Sequence, residues 1–411
     1  MNDFLSPKPP LPEPLNGSVL GSFAHHTVTK RFPKIARETI QDNEFPPEII
    51  RQLEQLIQDI PFQPVRDLDD PGAPDIEAWQ KNLRPFLGQN WLQVPWFVAE
   101  TYFYRRILEA FGFHQPGSFK GYDPFWRQKK RVLESASSST INLASLLEKS
   151  LSEQGAGLTN WPANLQQVLV LNVWSNQADL SMWSAGEERP DHRASDDQQT
   201  HLLANDAGQV TDFLSSAGRL QRVDFILDNY GPELIHDIGL ADFLLSIDLT
   251  AAVRFHAKPA PHYVSDAMIP DIHSTLEYLA VHQEPAVRQL AQRIDSYIQD
   301  QRLQFADDYF WTSPTYFWDM PEYIFTELSA SDLVISKGDA NYRRVAGDLN
   351  WPPTTPFKDV MRYFPASLLA LRVLKAELAL GISPSQVNWL DNQDPDWKVN
   401  GQWAVIQLWK K

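Results

Sequence analysis

The segment VDFILDNYGPE, Val223–Glu233, decides how the rest of the chain is read. Its first five residues, Val223–Leu227, are mostly apolar and read as a buried strand. Asp228 and Asn229 follow at once, then Gly231, then Pro232 at the head of a helical stretch. Proline suits the first helical turn, where its missing N–H would be unsatisfied anyway. In an open α/β sheet, ligands bind just beyond the carboxyl ends of the strands. An acid and an amide at that point are oxygen ligands for a hard cation. Taken singly, Asp228 is more simply a helix cap, and Glu233 a carboxylate favoured in a first helical turn. Recurrence of the layout argues otherwise.

Working outward, six apolar runs read as strands: VLVLNVW (Val168–Trp174), VDFIL, TAAVRFHA (Thr250–Ala257), DLVIS (Asp332–Ser336), LLALRVLK (Leu368–Lys375) and WAVIQLW (Trp403–Trp409). Helical text separates most of them. That alternation predicts an α/β fold, a doubly wound three-layer αβα domain with a mostly parallel sheet. The last strand is a candidate for the edge and for antiparallel pairing. Gly186–Gly208 reads as a solvated loop with some helix. Upstream, PPEIIRQLEQLIQDI (Pro46–Ile60), WFVAETYFYRRILEAFGF (Trp96–Phe113) and the run after DPFWRQKK are helical. The expected organisation is a proline-rich arm (1–18), a helical N-terminal subdomain (19–155) and an α/β domain (156–411).

Composition bounds the function. The 411 residues can bury a large core. A net charge of −16 and a pI of about 5.0 argue against nucleic-acid binding, which needs basic surface. An anionic substrate must then be drawn in by local cations or a metal. The chain has no cysteine, which excludes disulfides, thiolate catalysis and cysteine zinc sites. No apolar stretch reaches the ~18 residues that span a bilayer, and the N-terminus lacks a signal-peptide core. A soluble, cytoplasmic protein is expected.

Other strand ends carry chemistry too. After Ala257 comes KPAPHYVSD (Lys258–Asp266), where Asp266 is either a helix cap or a second carboxylate ligand. His256 and His262 flank this loop and are a weak zinc signal, outweighed by packing roles. After Ser336 comes KGDANYRR (Lys337–Arg344). Backbone amides at Gly338 and the following helix start make a natural anion seat, and Arg343 could add a bidentate phosphate contact. Arg372 and Lys375 interrupt a very apolar stretch, and a buried lysine needs a partner. There is no GxxxxGK[ST], HExxH or GxSxG, and GAGLTN at Gly155 is a poor dinucleotide fingerprint.

Several long motifs in fixed order resemble the metal-dependent damage-control phosphatase family, in the branch named after acidic-residue methyltransferase. They are AETYFYRR (Ala99–Arg106), DPF (Asp123–Phe125), NQADLS (Asn176–Ser181), DNYGPE, KPAPHYVSD and KGDANYR. The resemblance implies a divalent metal on Asp228, Asn229 and Asp266, Mn²⁺ or Mg²⁺ with Co²⁺ or Ni²⁺ as further options. It carries Glu233 over as a catalytic residue. It assigns Lys337, Gly338, Asp339, Asn341, Tyr342 and Arg343 to phosphate and sugar. The family's RTxK motif reads Arg372-Val373-Leu374-Lys375 here, with Val373 in place of the threonine and Lys375 as the phosphate-binding lysine. Metal-dependent hydrolysis of small phosphorylated metabolites is implied, with hexose phosphates such as fructose 1-phosphate favoured. A methyltransferase using S-adenosylmethionine and a metal-dependent sugar-phosphate binder without turnover stay open as alternatives.

Overall fold

A computed structural model describes residues 7, 10–134, 136–152, 160–175 and 199–411. The motif NQADLS falls outside the described residues, as does most of GAGLTN. Seven strands form one sheet: β1 (Leu202–Asn205), β2 (Leu220–Ile226), β3 (Thr250–Ala257), β4 (Leu303–Asp307), β5 (Leu333–Lys337), β6 (Ser367–Val373) and β7 (Ala404–Trp409), in the order β1-β7-β6-β5-β2-β3-β4. All pairs are parallel except β6 with β7. The expected α/β class with a mostly parallel, helix-covered sheet and a helical N-terminal region is what the structure shows.

Both faces of the sheet are buried, which is why its strands read as near-continuous apolar text. Val223, Phe225 and Leu227 belong to one core with Val253, Phe255, Ile335 and Leu371. Ile226, Val334, Leu368 and Ala370 belong to the other. A third core fills the N-terminal helices, where Phe32 stacks on Phe103 at 4.4 Å. Ala260, Tyr263 and Val264, from the loop after β3, pack into that third core. The loop thus binds the helical region to the sheet's carboxyl edge.

Two strand readings are corrected, and two further strands carry no run that was read. VLVLNVW is the end of a helix, Trp161–Trp174, begun by Asn160 and Pro162. A short apolar run cannot be assigned to strand or buried helix by periodicity alone. This helix packs against the sheet at β6 and β7 and against the helix Pro232–Ser246, so its second half, Val168–Trp174, is almost wholly buried. β1 and β4 carry little apolar signal because they are the short edges of the sheet. β7 is antiparallel to β6, as considered, but β1 covers its outer side, so it is not an edge.

Chain order places the site. From β2 the chain runs to β3 and β4 on one side, then returns to β5 on the other. That reversal opens a crevice at the carboxyl ends of β2 and β5.

Candidate active site

Residues beyond β2, β3, β5 and β6 line one cleft enclosing about 370 Å³, part of it open to solvent. Asp228 and Asn229 come from β2, Asp266 from the loop after β3, Asp339 and Arg343 from the helix after β5, and Lys375 from the end of β6. Neither acid caps a helix. The cap of Pro232–Ser246 is Gly231, and that of Ile269–Ala280 is Met268, with Asp271 completing a capping box.

Backbone contacts join the two acid-bearing loops. Asn229 and Asp266 form an antiparallel bridge, and Ala267 N donates to Asp228 O at 2.7 Å. The Asn229 amide is fixed on both sides. Its Nδ2 donates to Asp228 Oδ2 at 2.7 Å and Glu233 Oε2 at 2.8 Å, while its Oδ1 accepts from Ser265 Oγ at 2.6 Å. Asp228 nests against Gly338, at φ +78°. A Cβ there would lie 1.9 Å from Asp228 Oδ2. Only glycine permits this approach, so the KGD glycine makes room for the first acid. Lys258 Nζ donates to Leu227 O at 2.7 Å and stands 3.4 Å from Asp266 Oδ2.

The remaining residues of KGDANYR do different work from that expected. Lys337 does not line the cleft. It is fully buried beneath it, 3.1 Å from Glu233 Oε1 and 3.4 Å from Asp237 Oδ1. Burial disfavours the Lys337 ammonium, but Asp237 and Glu233 outweigh it and hold its pKa above the usual value. Burial pushes the Asp237 carboxyl up to about 7, against the pull of Lys337. Asn341 Nδ2 donates to Leu227 O and Lys337 O, both at 3.0 Å, tying β5 to β2. Tyr342 Oη donates to Gln407 Oε1 at 2.7 Å. Arg343 is held by Asp348 at 2.8 and 3.0 Å and by Glu100 at 2.5 Å, with its guanidinium 3.7 Å over Trp96. Burial opposes its charge, but Asp348 and Glu100 prevail and raise its pKa well above normal. Arg372 Nε donates to Asp339 Oδ1 at 2.7 Å, and the same oxygen accepts from Lys375 N at 3.1 Å. Arg343 and Arg372 are thus already engaged by carboxylates.

Sequence reasoning gave no role to Arg31, Trp96, Glu100 or Tyr263, which also line the cleft. Two of them lay inside quoted motifs: Glu100 is the acid of AETYFYRR, and Tyr263 lies in KPAPHYVSD. Arg31 ends the π-helical turn Thr27–Arg31. Such turns are frequent at functional sites. Trp96 Nε1 and Tyr263 Oη are buried in the cleft wall with no hydrogen-bond partner among the described residues.

A second group with metal-ligating chemistry is Asp224, His256 and Glu327, whose ligand atoms lie within 4.8 Å of one another. Arg222 holds Asp224 at 2.7 and 3.1 Å, and Arg254 pairs with Glu327. Two carboxylates therefore already face two guanidinium groups there. His262 packs against Tyr104 and Tyr263, at 5.5 and 4.6 Å, and takes no part in that group.

A model of the damage-control phosphatase ARMT1-like domain matches residues 27–388. The chain belongs to this family. Across 97% of both chains it is 31% identical to the damage-control phosphatase ARMT1 of Danio rerio. It is 31% identical to the Xenopus tropicalis protein of that name, over 94% of this chain and 96% of the relative. For the Homo sapiens one the identity is 28%, over 97% and 98%. The crystal structure of a DUF89 family protein from Pyrococcus horikoshii aligns with a TM-score of 0.43 and 12% identity, covering 93% of this chain and 97% of that one. The protein is therefore a phosphatase of the damage-control family acting on small phosphorylated substrates. No helix among the described residues is long and apolar enough to cross a membrane.

Proposed function

We propose that this cleft hydrolyses phosphate monoesters of small polyhydroxy metabolites, hexose phosphates such as fructose 1-phosphate above all, with a divalent metal on Asp228, Asn229 and Asp266. The observation that carries the reading is the convergence of two acids and an amide at the switch point, with Gly338 cleared for Asp228. The donor set fits the group. Two carboxylates and an amide oxygen suit Mn²⁺ or Mg²⁺ and tolerate Co²⁺ or Ni²⁺. Asn229 has Nδ2 committed to carboxylates, so Oδ1 is its ligating atom, with a lone pair left beside the Ser265 hydroxyl. When bound, the metal supplies charge for a phosphoryl oxygen and acidifies water.

The chain's own residues do the rest. Glu233 sets the Asn229 amide, and Lys337 sets Glu233. Lys375 brings positive charge to the phosphoryl group, where charge spreads in the transition state. Asp339, fixed by Arg372 Nε and Lys375 N, orients a sugar hydroxyl or a water. The buried donors Trp96 Nε1 and Tyr263 Oη suit hydroxyl oxygens of the organic part.

A phosphate-release screen over hexose and pentose phosphates, with each metal in turn, tests this. Release should vanish after chelation and dialysis and return with Mn²⁺, Mg²⁺, Co²⁺ or Ni²⁺. Undiminished release from the chelated protein would refute the metal reading. Equal release from all phosphomonoesters would refute the sugar preference.

A further inference from the structure

Besides the cleft residues Arg31, Trp96 and Glu100, the helical N-terminal region sends Lys129, on the helix Trp126–Glu134, to the loop that ends at Asp266. Lys129 is completely buried. Three oxygens surround its ammonium: Asp123 Oδ2 at 2.9 Å, Asp271 Oδ2 at 2.8 Å and the backbone carbonyl of Asp266 at 2.9 Å. Asp271 Oδ2 and Asp266 O accept hydrogen bonds from it, and Asp123 is its second ion-pair partner. Each partner is itself fixed. Asp123, the acid of the DPF motif, accepts from Phe125 N at 2.8 Å. Asp271 accepts from Met268 N at 2.8 Å and so caps the next helix.

The loop that ends at Asp266 does not hold its shape by local preference. Tyr263 and Val264 lie at φ +45° and +65°. Such conformations cost on the order of 1–3 kcal/mol each and persist only where the surroundings impose them. Here the third core takes the side chains of Tyr263 and Val264, while Lys129 takes the carbonyl at the loop's end. Other contacts of this stretch, among them Asp266 N to His262 O at 3.1 Å, Ala267 N to Asp228 O at 2.7 Å, Tyr230 N to Ser265 O at 2.7 Å and Lys258 N to Ala267 O at 2.9 Å, tie the loop to itself and to the ends of β2 and β3. Lys129 ties it to the helical region.

We propose that Lys129 is a positioning residue for Asp266, whose peptide it clamps so that the carboxylate stays turned toward Asp228 and Asn229. The inference rests on the reading above that Asp266 is a metal ligand. It makes the helical region part of the metal centre.

The test is Mn²⁺ binding to the full chain by calorimetry, with circular dichroism and thermal melts alongside. Asp266→Ala should bind Mn²⁺ at least ~10²-fold more weakly. Lys129→Met and Lys129→Arg should bind ~10–100-fold more weakly, the range typical of groups that orient a ligand. Asp123→Asn keeps the lysine's contact with Asp266 O. It should melt earlier yet bind Mn²⁺ within about twofold of wild type. Folded Lys129 variants with wild-type affinity would overturn the proposal, as would an equal loss in Asp123→Asn. Wild-type affinity in Asp266→Ala would instead overturn the metal reading itself. Should both Lys129 variants fail to fold, the wild-type protein decides the matter. The ¹⁵Nζ signal of Lys129 should shift when Mg²⁺ is added, and a signal that stays in place overturns the proposal.

Discussion

Gly338→Ala is the sharpest probe of the proposed site, because it adds one methyl group and replaces no candidate metal ligand. The new Cβ would stand 1.9 Å from Asp228 Oδ2 and 2.2 Å from its Cγ, where real contacts stay beyond 3.0 Å. The carboxylate must therefore retreat by about 1 Å, a displacement that costs on the order of 10²-fold in a catalytic site. Alanine at φ +78° adds backbone strain of about 1–2 kcal/mol. The expected variant is folded, melts a few degrees lower, binds Mn²⁺ ~10–100-fold more weakly and loses ~10²-fold or more in kcat/KM. Gly112→Ala separates strain from displacement. Gly112 ends the helix Trp96–Phe111 at φ +73°, and its added Cβ meets nothing closer than 3.5 Å. It should lose similar stability and no metal affinity. Calorimetry with Mn²⁺, phosphate release and thermal melts on both variants give the answer. A folded Gly338→Ala protein with wild-type metal affinity and turnover would refute the cradle, and with it the ligand role of Asp228.

Asp228→Ala should abolish phosphate release while circular dichroism and melting stay near wild type, since Asp228 caps no helix; an unfolded or active variant would make it structural. Lys375→Met keeps the stem and removes the charge, and should lower kcat/KM for a hexose phosphate by ~10²-fold or more without changing Mn²⁺ affinity; unchanged kcat/KM would detach Lys375 from the phosphate. Lys337→Met leaves Glu233 and Asp237 buried without their cation and should cost about 3–5 kcal/mol in denaturant unfolding, part of it recovered by adding Asp237→Asn. Asp237 also gives a pH signature. Its folded pKa of about 7 lies above the unfolded value near 3.8, so its stabilisation is full below about pH 4 and fades as pH rises to about 7. Asp237→Asn should therefore gain stability relative to wild type between pH 5 and pH 8, and a gain that does not grow with pH would contradict the raised pKa.

The fold was legible where burial wrote it into composition. β2, β3, β5 and β6 are covered on both faces and spell out runs such as VDFIL and DLVIS. β1 and β4 were not legible, because half-covered edge strands of four and five residues leave no such run. The helix Trp161–Trp174 misled for the opposite reason, since burial of its second half, Val168–Trp174, leaves an apolar run without the polar stripe that marks a helix. At the site, Asp228, Asn229, Asp266, Asp339 and Lys375 were legible from their place beyond strand ends, and the structure brings them into one cleft. Arg31, Trp96 and Glu100 were not, because they arrive from helices more than 100 residues upstream of β2. Nothing in their spacing says that these helices fold back onto the sheet.

The basic residues carry a separate lesson. KGDANYR and its neighbours look like a phosphate grip because they gather Lys337, Arg343 and Arg372. Yet a buried cation is costly unless it is paired, and each of these three has carboxylates within 3.4 Å. Their pairing has a directional logic. Arg343 uses three N–H donors on Asp348 and Glu100 while its plane lies on Trp96, which fixes one cleft wall. Arg372 holds Asp339 at the opening of the helix after β5. Lys337 holds Glu233, which holds Asn229. A lysine could not replace either arginine, because a point charge lacks the planar fork that spans two acceptors. These cations set the positions of Glu233, Glu100, Asp348 and Asp339, and Glu233 in turn fixes the Asn229 amide. In a chain of net charge −16 this order is sensible. The paired cations are spent on neighbouring carboxylates, so under the proposed function the positive charge offered to a phosphate falls to the divalent ion and Lys375.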